Sequence, residues 1–121
     1  MTEGQPPMNQ ELKYKISNLE QKVRIRSKDA VHFAEDLLME LSHHVELLKP
    51  GMTGKQFASA KHALTVRSQY GALAMNALTD RREDVVTAAC LLVINLARFL
   101  IGEANLSEVE SAAEVLRRKS L

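Results

Sequence analysis

The chain has no tryptophan, three phenylalanines and two tyrosines, so its apolar content, 45% of the residues, is almost wholly aliphatic. Ala, Leu, Val and Met supply the bulk of it, and such side chains fit closely spaced helices better than the faces of a sheet. A single cysteine, Cys90, excludes an intrachain disulfide and suits a reducing compartment. It lies inside an apolar run, where a thiol serves as a small core side chain rather than as a nucleophile. Neither sign of charge is in excess. Sixteen Lys and Arg stand against fifteen Asp and Glu, and a net charge of +1 removes any global electrostatic case for nucleic acid or an anionic membrane.

Other signals are missing too. The first residues, MTEGQPPMNQ, lack the basic and apolar regions of a signal peptide, and the expected setting is the cytoplasm. The longest apolar run, residues 85–101, reaches 17 residues with Asn95 and Arg98 inside it, whereas a membrane span needs about 20. The chain has no Gly-rich phosphate loop, no Cys-x-x-Cys, no His-Glu-x-x-His and no Gly-x-Ser-x-Gly. An enzyme is therefore not expected, and no cofactor is implied.

What is present is helical periodicity. Residues 1–9, with Gly4, Pro6 and Pro7, read as a short disordered arm, and 10–121 as one helical domain. Leu12, Ile16, Leu19 and Val23 step by four, three and four, the spacing of a coiled-coil seam. Ala30, Phe33, Leu37, Leu41 and Leu48 continue the apolar pattern, although Arg26 interrupts the seam. Either one helix runs from 10 to 48, or Ser27 caps a second helix near Lys28. The absence of Gly and Pro favours the continuous helix, which Lys49-Pro50-Gly51 ends. Thr53 with Gln56 matches a capping box that opens a second helix over 53–79. Its apolar stripes are Phe57, Ala60, Leu64, Gly71, Met75 and Leu78 on one side, and Ala63, Val66, Tyr70, Leu73 and Ala77 on the other. Small residues such as Gly71 and Ala74 would admit a close neighbour.

Asp80 with Glu83 reads as a further cap, opening a helix over 81–102 that is apolar almost all round and so expected to be buried on every side, about 84–101. Gly102 closes it, and a last helix over 105–119 opens at Asn105 or Ser107. The predicted fold is all-α: four-helix bundle-like, with a long coiled-coil-like first helix and a buried central one.

A chain of this length buries about two thirds of its unfolded surface. The apolar faces ask for more cover than that, which points to a homodimer of about twice 13.5 kDa. Its expected interface is the seam Leu12, Ile16, Leu19 and Val23. If the chain were a monomer, the first helix would have to fold back over 85–101.

Charge alternates along the chain. Residues 11–28 carry six bases against two acids, 29–49 five acids against one base, 55–82 are again basic and 83–116 acidic. Segments of opposite sign that fold together would attract, though each also suits a solvated helix face. The functional expectation is a non-enzymatic interaction or regulatory protein that acts as a homo-oligomer on another macromolecule. The alternative is a nucleic-acid-binding regulator using Lys13, Lys15, Lys22, Arg24, Arg26 and Lys28 beside the seam. A helix-turn-helix over 57–73, with Thr65 to Tyr70 as recognition helix, lacks the glycine of the turn, since Leu64 stands there. His32, Asp36, Glu40 and His43 share one helix side, and Glu40 to His43 has the Glu-x-x-His spacing of carboxylate-bridged metal bundles. Such a site needs a second motif and two more inward carboxylates, so no metal is assigned.

Overall fold

The computed structural model describes residues 7–43 and 54–121. These residues form five helices and no strand: α1 Pro7–Arg24, α2 Ala30–Ser42, α3 Gly54–Ala77, α4 Glu83–Leu100 and α5 Leu106–Ser120. The all-α class holds. Residues 1–6 of the expected arm, the Lys49-Pro50-Gly51 stop and the Thr53 cap lie outside the described residues.

Two expectations about the first forty residues are corrected. Helix α1 begins at Pro7 rather than at Gln10. Proline has no N–H to lose in the first turn, and its fixed φ already suits a helix. The continuous helix over 10–48 is broken between Arg24 and Ala30. Arg26 stands there in the left-handed region, φ +56. Its N–H donates to Val23 O at 3.1 Å, and the Ser27 N–H donates to Lys22 O at 2.9 Å. These are the two bonds of a Schellman ending, usually built on glycine. The Ser27 hydroxyl accepts the Asp29 N–H at 3.1 Å, so it stabilises the turn and does not cap α2.

Magnitudes explain why the chain bends. A left-handed residue other than glycine costs about 1–2 kcal/mol. Burying Leu37 and Leu41 alone returns about 3–6 kcal/mol. Folding α2 back lets its face, Ala30, Ala34, Leu37 and Leu41, and the α1 face, Leu12, Ile16 and Leu19, bury in one core with α4.

The end of α4 repeats the motif with the usual residue. Gly102 has φ +82, its N–H donates to Phe99 O at 3.1 Å, and the Glu103 N–H donates to Arg98 O at 2.7 Å. The two endings make a matched test. Arg26→Gly should raise stability by roughly 0.5–1 kcal/mol, and Gly102→Ala should lower it by about 1 kcal/mol. An added Cβ at Gly102 meets nothing within 4 Å, so that loss is purely backbone. Urea midpoints of the two variants check both signs.

The start of α4 differs from the expected cap. The helix begins at Glu83 with Arg82 at the N-cap and no side-chain cap. Asp80 is occupied elsewhere. Its carboxylate accepts the Arg82 N–H at 2.8 Å and the guanidinium at 3.0 and 3.1 Å. The same guanidinium donates to the carbonyls of Lys119, Ser120 and Leu121 at 3.2–3.3 Å, satisfying the end of α5. The Arg82 guanidinium, bonded to Asp80, pulls that carboxyl down to about 2 from 3.8. A depressed carboxyl stabilises the fold above its unfolded value and ceases to as pH falls through its folded one. The thermal midpoint of the wild type should therefore exceed that of Asp80→Asn above pH 3.8, and the two should converge as pH approaches about 2. At the start of α5 the Asn105 N–H donates to Glu108 Oε2 at 2.8 Å, the capping expected there.

Helix α4 packs against each of the other four. Val85, Ala88, Ala89, Leu92, Val93, Ile94, Leu96 and Ala97 are buried. It is not buried on every side, however. Asp84, Thr87 and Leu91 are exposed and Asn95 is half-buried, at steps of three, four and four. One stripe of the central helix is open. Among the described residues no helix is long and apolar enough to cross a membrane.

Candidate binding cleft over the central helix

The open stripe of α4 lies between the α1–α2 turn and the end of α5, and a cleft of about 570 Å³ occupies the gap. Its apolar lining comes from three directions: Val23 and Val31, Val86 and Leu91, and Val115. Leu91 and Val115 are each 43% exposed. Isolated apolar side chains on a surface need no explanation; these two share one concavity. Thr87 and Asn95 fall on the same helix side, and Asn95 Nδ2 is turned back to Leu91 O at 2.9 Å.

Basic residues surround this lining. Lys22, Arg26, Lys28, Arg81 and Lys119 line the cleft, against the acids Glu83 and Asp84. Asp84 is partly neutralised, its carboxylate lying 4.0 Å from the Lys119 ammonium. The Lys22 ammonium sits 5.0 Å from the centre of the Phe33 ring, a cation–π contact that holds it at the border of α1 and α2. The Schellman turn presents Arg26 and Lys28. Cys90 lies at the base, where burial pushes its thiol up to about 11. It is protonated at neutral pH and a poor nucleophile.

The structure divides the residues singled out in the sequence. Leu12, Ile16 and Leu19 are buried in the chain's own core, and Val23 is half-buried at the edge of the cleft. The seam is thus covered by α2 and α4 of the same chain, not left free for a second one. Of the basic set, Lys15 bridges Asp36 at 2.9 Å and Glu40 at 3.3 Å. Its bond to Asp36, with that to Glu40, raises the ammonium above its usual range. Lys13 pairs with Glu103 at 3.1 Å. Lys22, Arg26 and Lys28 converge on the cleft, and Arg24 is exposed. The basic and acidic segments do meet, through Lys15 with Asp36 and Glu40 and through Lys13 with Glu103, while the pair Glu20–Arg98 ties α1 to α4 with the signs reversed.

The metal constellation is dispersed. Asp36 and Glu40 are both held by Lys15, and His43 is the C-cap of α2. Among the described residues no group of three or more His, Cys, Asp and Glu is placed to hold an ion. In the region considered for a recognition helix, Val66 and Tyr70 are buried, and Arg67 donates to Leu41 O at 2.9 Å across to α2. Nor is Gly71 needed for a close approach, since a Cβ there would meet Leu38 Cδ2 at an ordinary 3.8 Å.

Arg81, Leu91, Val115 and Lys119 were not singled out in the sequence. A signal for their stripe existed: Asp84, Thr87, Asn95 and Arg98 fall on one side of an otherwise apolar helix. Comparison with known protein families, curated proteins and solved structures gives no match to this chain.

Proposed function

We propose that this chain is a non-enzymatic helical interaction protein that receives a segment of another macromolecule in the cleft over α4. The observation that carries the reading is Leu91, 43% exposed midway along a helix whose neighbouring apolar residues are covered. A further helix laid there would complete the burial that the composition of α4 calls for. The cleft offers apolar side chains and charges for docking, and its one thiol is protonated. A reducing, cytoplasmic setting belongs to the same proposal and rests on that lone buried cysteine.

Selection of helical peptides from a random amphipathic library on the wild-type chain tests the reading. Enriched binders should lose about tenfold or more in affinity for Leu91→Asp, and keep it for Met75→Asp on a different face. Binders that ignore Leu91→Asp would place the docking surface elsewhere.

The homodimer becomes the second reading, because α1 already supplies the cover that its argument required. It now rests on Met39, 60% exposed, and Met75, 39% exposed, in a shallow groove between α2 and α3. A sedimenting mass above 13.5 kDa that Met39→Asp reduces would be its mark. The nucleic-acid alternative is weakened, since Lys13 and Lys15 are engaged with acids of the same chain.

A further inference from the structure

Resting on the reading of the cleft as a docking surface, we infer that its occupant is an acidic amphipathic helix, with apolar side chains on Leu91 and Val115 and carboxylates on Arg26, Lys28 and Lys22. Shape supports a helix. Along α4 the cleft runs from Glu83 to Leu91, about 12 Å at 1.5 Å per residue, which matches about two helical turns. Two apolar residues one or two turns apart on such a segment would span the exposed part of the floor.

Charge supports an acidic one. Five bases line the cleft against two acids, and one of those acids faces Lys119. Two copies of this cleft facing each other would bring like charges together, so a second copy docked in this way is disfavoured. Nucleic acid would satisfy the basic side chains but leave Leu91 and Val115 with no apolar partner.

The α1–α2 turn gives an independent line of support. A Schellman ending is most stable with glycine at the left-handed position, yet this chain holds Arg26 there at φ +56. Backbone preference does not account for the arginine. Its side chain lines the cleft, where an anion can use it.

Three synthetic peptides, each 18 residues long like α4, serve as probes. One carries a leucine stripe with glutamates elsewhere, and the second the same stripe with lysines. The third scrambles the first so that no apolar face remains. Fluorescence anisotropy should show the acidic amphipathic peptide binding best, with affinity falling as salt rises. Leu91→Asp, or Val115→Asp as a second probe of the floor, should weaken it about tenfold, as should Arg26→Glu with Lys28→Glu. Arg26→Gly should bind it more weakly while melting at a higher temperature, a separation that a merely structural arginine would not show. Circular dichroism confirms that each variant is folded.

The lysine peptide binding as tightly as the glutamate one, with Leu91→Asp still harmful, would overturn the acidic occupant and leave the docking cleft standing. Neither amphipathic peptide binding, or binding indifferent to both Leu91→Asp and Val115→Asp, would overturn both. A short duplex DNA bound more tightly than any peptide and unaffected by Leu91→Asp would do the same.

Discussion

Leu92→Ala should destabilise the chain by about 3 kcal/mol, whereas Leu91→Ala, one residue earlier, should cost less than about 1 kcal/mol. Leu92 has no exposed surface and sits where α4 meets its neighbours. Truncation removes its transfer free energy and leaves a cavity in a close-packed interior that relaxes only in part. A domain of this size has about 5–15 kcal/mol of stability in total, so the melting temperature should fall by about 10 °C. Leu91 starts 43% exposed, so its truncation removes less buried area and opens no enclosed void. Alanine is also the better helix former, which offsets part of the loss. Urea denaturation of the two variants measures the contrast. Equal losses would mean that the side of α4 carrying Leu91 is covered in solution, and the cleft would be lost with it.

The later helices were legible almost to the residue, because their limits depend on local chemistry. The predicted spans 81–102 and 105–119 correspond to Glu83–Leu100 and Leu106–Ser120. Gly102 and the Asn105–Glu108 pair mark the junction within a few residues of where they act. The break after α1 was not legible, because a left-handed turn is signalled by glycine and here the position is Arg26. The role of Asp80 was hidden by a competitor two residues on: Arg82 takes the carboxylate that would otherwise cap α4. Of the cleft, the sequence showed only that Lys22, Arg26 and Lys28 belong to a basic stretch, grouped there with Lys13, Lys15 and Arg24 as a nucleic-acid surface. Arg81, Leu91, Val115 and Lys119 are far along the chain and join the cleft only after α1 and α2 fold back over α4. That non-local step has no counterpart in periodicity.

The seam poses the sharpest test, since its spacing shows that a face is buried but not what covers it. Leu19→Asp should abolish the cooperative unfolding transition at 25 °C. Leu19 has no exposed surface, and an unpaired carboxylate there costs several kcal/mol beyond the lost packing. Leu19→Ala, the measurable form, should cost about 3 kcal/mol. The decisive readout is concentration. If α1 packs against α2 and α4 of its own chain, the urea midpoint is the same at any protein concentration, because folding is unimolecular. If the seam instead joined two chains, a hundredfold dilution would lower the apparent stability by about 2.7 kcal/mol, an unmistakable shift in midpoint. We expect no shift, for the wild type or for Leu19→Ala. A shift in the wild type that Leu19→Ala enlarges would mean that the α1 face is shared between chains. The core of the fold described here would then be the interface of a dimer.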